Sequence, residues 1–420
     1  MTTTKNNEHK KLNFSSEREQ SQACLNSAEH EKNQGRKVLN VPNLRFPEFQ
    51  GKWEYFLIND VCSEFKSGKN IKADSVFECG EYPVYGGNGL RGYTSSYNHE
   101  GSYVLIGRQG ALCGNVRSVY GKTYITEHAI AVAGNEKSNT SFLHYLFLKM
   151  NLGQYSDQSA QPGLAVNKLL KLKVALPIIS EQTKIAKLLS LLDERISTQS
   201  KIIDKLQSLI KGLEDNLLDN PLWEKTYLRS FMQFFSTNSL SWEQLSYKEG
   251  AIRNLHYGLI HGFQTRGINS ASLPMIKNEA IPKQYTLCQV GDVAFADASE
   301  DTGEIAKSVE FVDTIEGDTI CGLHTIHGRD IKNRTVVGFK GFAFNSRYFH
   351  NQIKRLAQGT KVFSITANNL SSCYVYLPEM DTQTVIVRLL KSYEEQLIID
   401  RMIFKQYEKQ KQYLLRQMFI

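Results

Sequence analysis

The stretch LPIISEQTKIAKLLSLLDERI, residues 176–196, decides the fold because the chain repeats it as LPEMDTQTVIVRLLKSYEEQL at residues 377–397. Laid over each other without a gap, the two copies share Leu-Pro, Gln-Thr, an Ile, Leu-Leu and a Glu. The offset is constant at 201 residues, the difference between 377 and 176. A phrase that returns at half the chain length indicates a tandem duplication.

The sequence before each copy has the same order of parts. Short runs rich in Val, Ile, Tyr and Thr, broken by Gly, predict strands, and a helix-like and an extended segment follow before Leu-Pro. We therefore predict a mixed α/β (α+β) fold, in which two globules are separated by an antiparallel pair of long coiled-coil helices with pseudo-twofold symmetry. The predicted boundaries are a disordered tail at 1–40, a first globule at 41–179, a central helix at 180–220, a second globule at 221–378 and a C-terminal helix at 379–420.

Both copies continue into segments with apolar residues at heptad spacing. The first segment predicts a helix-pair seam, with Gln199 as its one polar member, formed by Leu189, Leu192, Ile196, Ile203, Leu206, Ile210 and Leu213. The second keeps Leu390, Leu397 and Phe404, but Asp400 and Lys411 interrupt it. Because a long helix with one apolar stripe needs a partner in water, we expect the two helices to pair. Docking of each helix on its own globule and a homodimeric coiled coil are the alternatives.

Bulk composition excludes several classes of protein. Of the 420 residues 41% are apolar, and the net charge is +7, which permits a polyanionic partner without requiring one. Seven cysteines without a Cys-x-x-Cys favour free thiols in a reducing compartment over a disulfide framework or a zinc site. No signal peptide is recognisable, and no apolar run approaches the roughly 20 residues that span a bilayer. We expect a cytoplasmic protein without membrane attachment.

The motifs that suggest catalysis are incomplete. GNGLRG at residues 87–92 matches Gly-x-Gly-x-x-Gly, but a strand or loop follows it where a dinucleotide site needs a helix. The GKT at 121–123 lacks the earlier glycine of a phosphate loop, since that position is Val116. His324 and His327 have no carboxylate-rich partner segment for a metal site. The sequence therefore predicts a non-catalytic chain that holds no metal or cofactor of its own.

What remains is polar and basic chemistry on the two globules. Arg, Asn and Gln can form paired hydrogen bonds with base edges, Lys meets phosphate, and aromatic rings stack. In the first globule the candidate DNA-binding residues are Lys69, Lys72, Asn88, Arg91, Tyr93, Arg108, Gln109 and Arg117. In the second globule they are Arg253, His256, Gln264, Arg266, Lys307, His324, His327 and Arg329.

Several of these stretches resemble one family. VPNLRFPEFQGKWE (41–54), SVFECGEYPVYGGNGLRGY (75–93), VGDVAFADASEDTGEIAKS (290–308), CGLHTIHGRD (321–330) and the duplicated Leu-Pro phrase are similar to DNA specificity subunits of type I restriction-modification systems. The likeness covers about residues 41–420. One departure is Thr382, which stands where the first copy has Glu181.

The resemblance implies a function and a set of partners. Two target-recognition domains would each bind one half of a split site in double-stranded DNA, with the two helices as the spacer. The implied partners are two modification (methyltransferase) subunits and restriction (translocase/nuclease) subunits. S-adenosylmethionine, ATP and Mg²⁺ would belong to those partners. The alternatives are a coiled-coil adaptor without DNA binding and a degenerate enzyme with a carbohydrate or nucleotide pocket.

Overall fold

The computed structural model describes residues 40–157, 163–263, 266–313, 315 and 317–420. The predicted disordered tail therefore lies outside the described residues, apart from Asn40. The chain divides into two compact units, which we call unit 1 (residues 1–193 with 410–420) and unit 2 (residues 194–409).

Unit 1 is a mixed α/β globule built on a six-stranded sheet. Its strands are β1 (Glu54–Leu57), β2 (Cys62–Ser67), β3 (Tyr82–Gly86), β4 (Gly89–Thr94), β5 (His99–Gly107), β6 (Val116–Ile125), β7 (Ala129–Gly134) and β8 (Lys173–Leu176). Its helices are α1 (Ile58–Val61), α2 (Thr140–Met150), α3 (Val166–Leu169) and the beginning of α4 (Ile179–Leu218). The sheet order is β2-β7-β5-β6-β3-β4, antiparallel except between β6 and β3, and β1 pairs separately with β8.

Unit 2 has a five-stranded sheet, a four-stranded sheet and two smaller pairs. Its strands are β9 (Glu224–Tyr227), β10 (Met232–Phe235), β11 (Leu245–Ser246), β12 (Arg253–Leu255), β13 (Gly267–Ile268), β14 (Met275–Ile276), β15 (Val293–Ala296), β16 (Ala298–Ser299), β17 (Ser308–Phe311), β18 (Thr319–Cys321), β19 (Thr325–Asp330), β20 (Phe363–Ser364) and β21 (Tyr374–Leu377). Its helices are α5 (Tyr257–Gly262), α6 (Phe339–Ala343), α7 (Arg347–Leu356), α8 (Ala367–Ser372) and most of α9 (Met380–Gln417).

The two main sheets have the same topology. The order β10-β19-β15-β17-β13 in unit 2 repeats β2-β7-β5-β6-β3 in unit 1, and in both only the last pair is parallel. The separate pair β9 with β21 likewise repeats β1 with β8. The predicted mixed α/β class and tandem duplication are confirmed. The four-stranded sheet β11-β14-β12-β18 has no counterpart in the described part of unit 1.

The glutamine of the repeated phrase makes the same set of hydrogen bonds in both units. In unit 1 the fully buried Gln182 amide donates to the carbonyl oxygens of Lys137 (2.9 Å) and Pro177 (2.8 Å). Its own oxygen accepts the backbone N–H of Asn139 at 2.8 Å. One side chain thus binds the start of α4 to the loop before α2 and pairs with three backbone groups.

Gln383 does the same in unit 2. Its amide donates to the carbonyl oxygens of Arg334 (3.0 Å) and Pro378 (2.9 Å), and its oxygen accepts from the N–H of Val336 at 3.0 Å. The Leu-Pro-x-x-x-x-Gln-Thr spacing therefore places a buried glutamine, hydrogen-bonded to three backbone groups, at the start of each long helix.

Helices α4 and α9 run antiparallel within unit 2. The Gln199 amide donates to Asp400 Oδ1 at 2.8 Å, and further along α4 both Glu214 and, from α9, Glu394 bind Arg266 at 3.2 Å. Later residues of α4 thus meet earlier residues of α9, as predicted for the helix pair. Gln199 and Asp400 are also separated by the repeat offset of 201, so equivalent positions of the two copies face each other.

The polar residues that interrupt the second heptad series are matched by partners. Asp400 accepts a hydrogen bond from Gln199. In unit 1 the Lys411 ammonium lies 2.5 Å from Asp193 Oδ1, and the other oxygen of Asp193 accepts a hydrogen bond from the Tyr145 hydroxyl at 2.9 Å. All the predicted seam residues are buried or half-buried, and their packing across the two helices stays a prediction. In the parts of the chain that the structure describes, no helix has the apolar length to cross a membrane.

Candidate nucleic-acid interface

A glycine-rich turn between β3 and β4 organises the candidates of unit 1. At Gly89 φ is +109°, and an added Cβ would stand 3.1 Å from the Arg117 guanidinium carbon. At Gly86 an added Cβ would stand 2.8 Å from the Cδ of Arg91. Two exposed arginines therefore lie directly against bare backbone, which only glycine provides.

The same turn brings the end of β5 into the group. The backbone of Gly87 packs against Gly107 and the carbonyl oxygen of His128, so Arg108 lies beside the turn. Gln109 Oε1 is 3.1 Å from His128 Nδ1. We call this the glycine-turn surface, and its side chains are Asn88, Arg91, Arg108, Gln109, Arg117 and His128. Three guanidinium groups with two amides suit paired hydrogen bonds to guanine and adenine edges.

The other candidates of unit 1 lie outside these direct contacts. Lys69 is exposed just after β2, where its backbone N–H binds the carbonyl of Ile125. Lys72 is also exposed. Tyr93 is half-buried and pairs through its backbone with Phe77, a position that favours packing over stacking on a base.

Unit 2 has an equivalent position with different side chains. The N–H of Asp297, just after β15, binds the carbonyl of His324, just before β19. In unit 1 the N–H of Arg108, just after β5, binds the carbonyl of His128, just before β7. The next contact is repeated as well, because Leu164 donates its N–H to Arg108 and, 201 residues later, Ile365 donates to Asp297.

Aromatic rings surround this second position. The rings of Trp242 and His256 lie 4.4 Å apart, Tyr257 follows at 4.8 Å, and His324 meets Tyr257 edge-on at 5.3 Å. Burial, and then the neighbouring His324, lower the pKa of His256, whose Nδ1 accepts the N–H of Gly258. We call Trp242, His256, Tyr257, His261, His324 and Asp297 the aromatic-histidine surface. Trp242 is 46% exposed, so its ring is open to a stacking partner.

Charge at the aromatic-histidine surface is mixed. His324 Nδ1 lies 3.0 Å from Asp297, and His261 and Lys307 both pair with Glu304. Carboxylates accept hydrogen bonds from cytosine amino groups, so this surface and the arginine-rich one in unit 1 suit different bases.

Three candidates of unit 2 are held by structural contacts that leave little for DNA. His327 is 1% exposed and bound to Asp292, which also binds Arg329 with both oxygens at 2.7 and 2.8 Å. Arg266 bridges Glu214 and Glu394 of the two long helices. A buried ring cannot reach a base edge, so His327 does not support the predicted contact, and Arg329 and Arg266 support it weakly.

The remaining two candidates of unit 2 are Arg253 and Gln264. Arg253 is half-buried and donates to the carbonyl of Ala271 at 3.1 Å. Gln264 lies outside the described residues. DNA contact by any of the candidates stays a prediction.

Sequence reasoning missed His128, Trp242, His261 and Asp297. A signal for the first existed, because TEHAIAV (126–132) and GLHTIHG (322–328) both place a histidine just before a strand. The other three depend on ring contacts and a loop position that no local pattern shows.

The relatives that sequence comparison finds are described as specificity subunits of type I restriction enzymes. A profile described as the Type I restriction modification DNA specificity domain matches residues 50–208. The Type I restriction enzyme EcoprrI specificity subunit of Escherichia coli is 45% identical over 134 residues, which are 31% of this chain and 33% of that subunit. A putative specificity subunit of Haemophilus influenzae is 28% identical over 142 residues, 33% of this chain and 37% of its own length. These two matches thus span about a third of each relative.

A longer match covers nearly the whole chain. The Type I restriction enzyme MjaVIII specificity subunit of Methanocaldococcus jannaschii is 25% identical over 405 residues, 89% of this chain and 92% of that subunit. Among solved structures, the S subunit of a type I system from M. genitalium has the same fold, with a TM-score of 0.62 at 15% identity over 90% of this chain and 99% of that one. Residues 50–208 thus carry a type I restriction-modification DNA specificity domain, and nearly the whole chain is similar to specificity subunits of such systems.

Proposed function

We propose that this specificity subunit recognises a bipartite DNA site, in which each unit's globule binds one half. The proposal rests on the equivalent backbone positions that follow β5 in unit 1 and β15 in unit 2. Two sheets of the same topology present different side chains at the same backbone position, arginines and amides in one and aromatic rings with histidine and carboxylate in the other. Equivalent scaffolds with unlike side chains suit two half-sites of unlike sequence.

We propose residues 41–179 and 221–378 as target-recognition domains, with residues 180–220 and 379–420 as spacer helices. The chain itself carries out no chemistry, in agreement with its family. Two modification subunits and the restriction subunits would bind it, and S-adenosylmethionine, ATP and Mg²⁺ would act in those partners. A duplicated scaffold offers two similar binding surfaces, which suits two copies of one partner.

The helix pair is proposed to set the spacing between the half-sites. Helices α4 and α9 have 40 and 38 residues, which correspond to about 60 and 57 Å at 1.5 Å per residue. Their antiparallel packing and the Gln199–Asp400 contact fix one register. A stiff pair in one register suits a spacer of constant length.

Arginine substitutions on the glycine-turn surface test the proposal. Arg91→Ala and Arg108→Ala should each weaken binding of cognate DNA by about 1–3 kcal/mol and relax specificity in one half-site only. The assay is equilibrium binding of cognate and half-site-mismatched duplexes, with the modification partner present. Lys52→Ala, at an exposed position before β1, is the control and should change little.

The same assay separates DNA recognition from the adaptor alternative. DNA binding predicts a steep fall in affinity with salt, since phosphate contacts release counterions. An adaptor that binds only proteins predicts no duplex binding at any salt concentration, and that result would rule out the proposal.

A further inference from the structure

Unit 2 contains a buried group of metal-binding side chains that its DNA-binding role does not use. Cys288 Sγ and Cys321 Sγ are 3.6 Å apart, and with a ring nitrogen of His327 their ligand atoms all lie within 4.8 Å of one another. All three side chains are buried. Cys321 ends β18, His327 lies in β19 and Cys288 precedes β15, so three separate segments meet here.

The distance between the sulfurs fits a shared metal ion. With metal–sulfur bonds of about 2.3 Å and a tetrahedral angle, two thiolates bound to one zinc ion stand about 3.8 Å apart. The observed 3.6 Å is close to that value. A disulfide needs the sulfurs at about 2.05 Å, much closer than they stand here.

The histidine is oriented as metal-binding histidines usually are. Its Nε2 lies 2.7 Å from Asp292 Oδ2, and Asp292 is held in turn by Arg329 and the N–H of Gln289. A carboxylate on Nε2 fixes the tautomer and the ring orientation, so a metal ion at this site would bind the other nitrogen, Nδ1. This Asp292–His327 pair is an observation independent of the cysteine spacing.

We propose that Cys288, Cys321 and His327 form a binding site for a thiophilic cation of the Zn²⁺ class, with Asp292 as the residue that positions the histidine. Two sulfurs and one imidazole suit zinc rather than magnesium or calcium, which prefer oxygen. The site would be structural, because burial of all three ligands leaves no path for a substrate. The sequence predicted no zinc site, since its ligands lie 33 and 6 residues apart along the chain and form no Cys-x-x-Cys.

Such an ion would fasten the sheet that carries the aromatic-histidine surface. His327 lies three residues after His324 on the same segment, and Cys321 lies three residues before it. Binding energy at the buried site would therefore stabilise the local backbone on which His324 stands.

Metal analysis of the full-length chain tests the proposal. Protein purified under reducing conditions and incubated with Zn²⁺ is passed through a desalting column, and its bound metal is measured by mass spectrometry. We expect one zinc ion per chain in the wild type and in the control Cys373→Ser, which changes another buried cysteine. Cys321→Ser and Cys288→Ser should retain less than a tenth of that amount.

Cobalt substitution keeps the test decisive if a cysteine variant fails to fold. Co²⁺ bound to the wild-type chain should show thiolate-to-metal charge-transfer absorption that Zn²⁺ displaces, and chelation should lower the wild-type Tm. The proposal is overturned if the wild type retains no zinc, if all variants retain equal amounts, or if the intact mass shows a loss of two hydrogens that marks a Cys288–Cys321 disulfide.

Discussion

We predict that the Gln199–Asp400 pair holds the register of the two long helices. Replacing either side chain alone should therefore destabilise the helix pair by a measurable amount. Both side chains are nearly buried, at 9% and 7% exposure, and the amide donates to the carboxylate at 2.8 Å. Gln199→Leu removes the donor and leaves Asp400 with Gln396 as its other side-chain partner, at 3.2 Å. Because an amide bound to a charged group contributes about 1.5–3 kcal/mol, we expect a local loss of that size.

A double-mutant cycle isolates the pair. Asp400→Leu should also destabilise, since it leaves the Gln199 amide buried without its partner. The double variant places two leucines at facing heptad positions and should recover most of the loss, with a coupling of about 2 kcal/mol. Such a leucine pair would no longer select one register.

Hydrogen exchange measured by mass spectrometry is the suitable assay, because a chain of two units need not unfold in one step. The opening free energy of peptides from residues 194–209 and 394–409 should fall in each single variant and recover in the double one. Gln207→Leu, at an exposed position of the same helix, should stay within about 0.5 kcal/mol of the wild type. If the two single-variant effects add within about 0.5 kcal/mol in the double variant, Gln199 and Asp400 do not act as a pair.

Three further outcomes follow from other contacts. Gln383→Ala removes a buried amide with three backbone partners and should destabilise unit 2 by about 3 kcal/mol in urea unfolding, whereas exposed Glu395→Ala should not. Burial, partly offset by Arg266, raises the pKa of Glu394 to about 7. Because the folded state holds that proton more tightly than the unfolded one, stability should fall by up to about 3 kcal/mol as pH rises from near 4.5 past 7. Glu394→Gln should flatten that slope in thermal melts across this pH range, and an unchanged slope would assign it to other groups. Finally, four residues inserted in each long helix lengthen it by about 6 Å, or one to two base pairs at ~3.4 Å each. Methylation mapping that shows an unchanged spacer would contradict the proposed role of the helix pair.

Local pattern predicted the elements that depend on local physics. The heptad spacing from Leu189 to Leu213 predicted the long helix that the structure has as α4, and the repeated Leu-Pro phrase located the start of both long helices. These predictions were possible because helix amphipathicity and a buried glutamine leave a regular trace in the sequence.

Tertiary pairing could not be predicted in the same way. Asp400 and Lys411 interrupt the heptad series, and only the folded chain shows that Asp400 accepts a hydrogen bond from Gln199 and that Lys411 pairs with Asp193. The shared sheet topology was also hidden, since β1 and β9 are 170 residues apart while the Leu-Pro phrases are 201 apart. Different loop lengths within the globules remove the constant offset.

The structural roles of the charged DNA-binding candidates were the hardest to predict from the sequence. Arg266 and Arg117 look alike in sequence, but the first bridges two carboxylates from the long helices and the second lies against bare glycine backbone. An arginine's role depends on whether the fold supplies a carboxylate partner, and distant segments determine that.

The most direct test of separate half-site recognition is an exchange of residues 221–378 for the corresponding domain of another specificity subunit. The exchanged subunit is expressed with its modification partner, and the methylated sites are mapped by long-read sequencing. Our account predicts a new sequence in one half-site, with the other half-site and the spacer length unchanged. A change in both half-sites, or in neither, would contradict it.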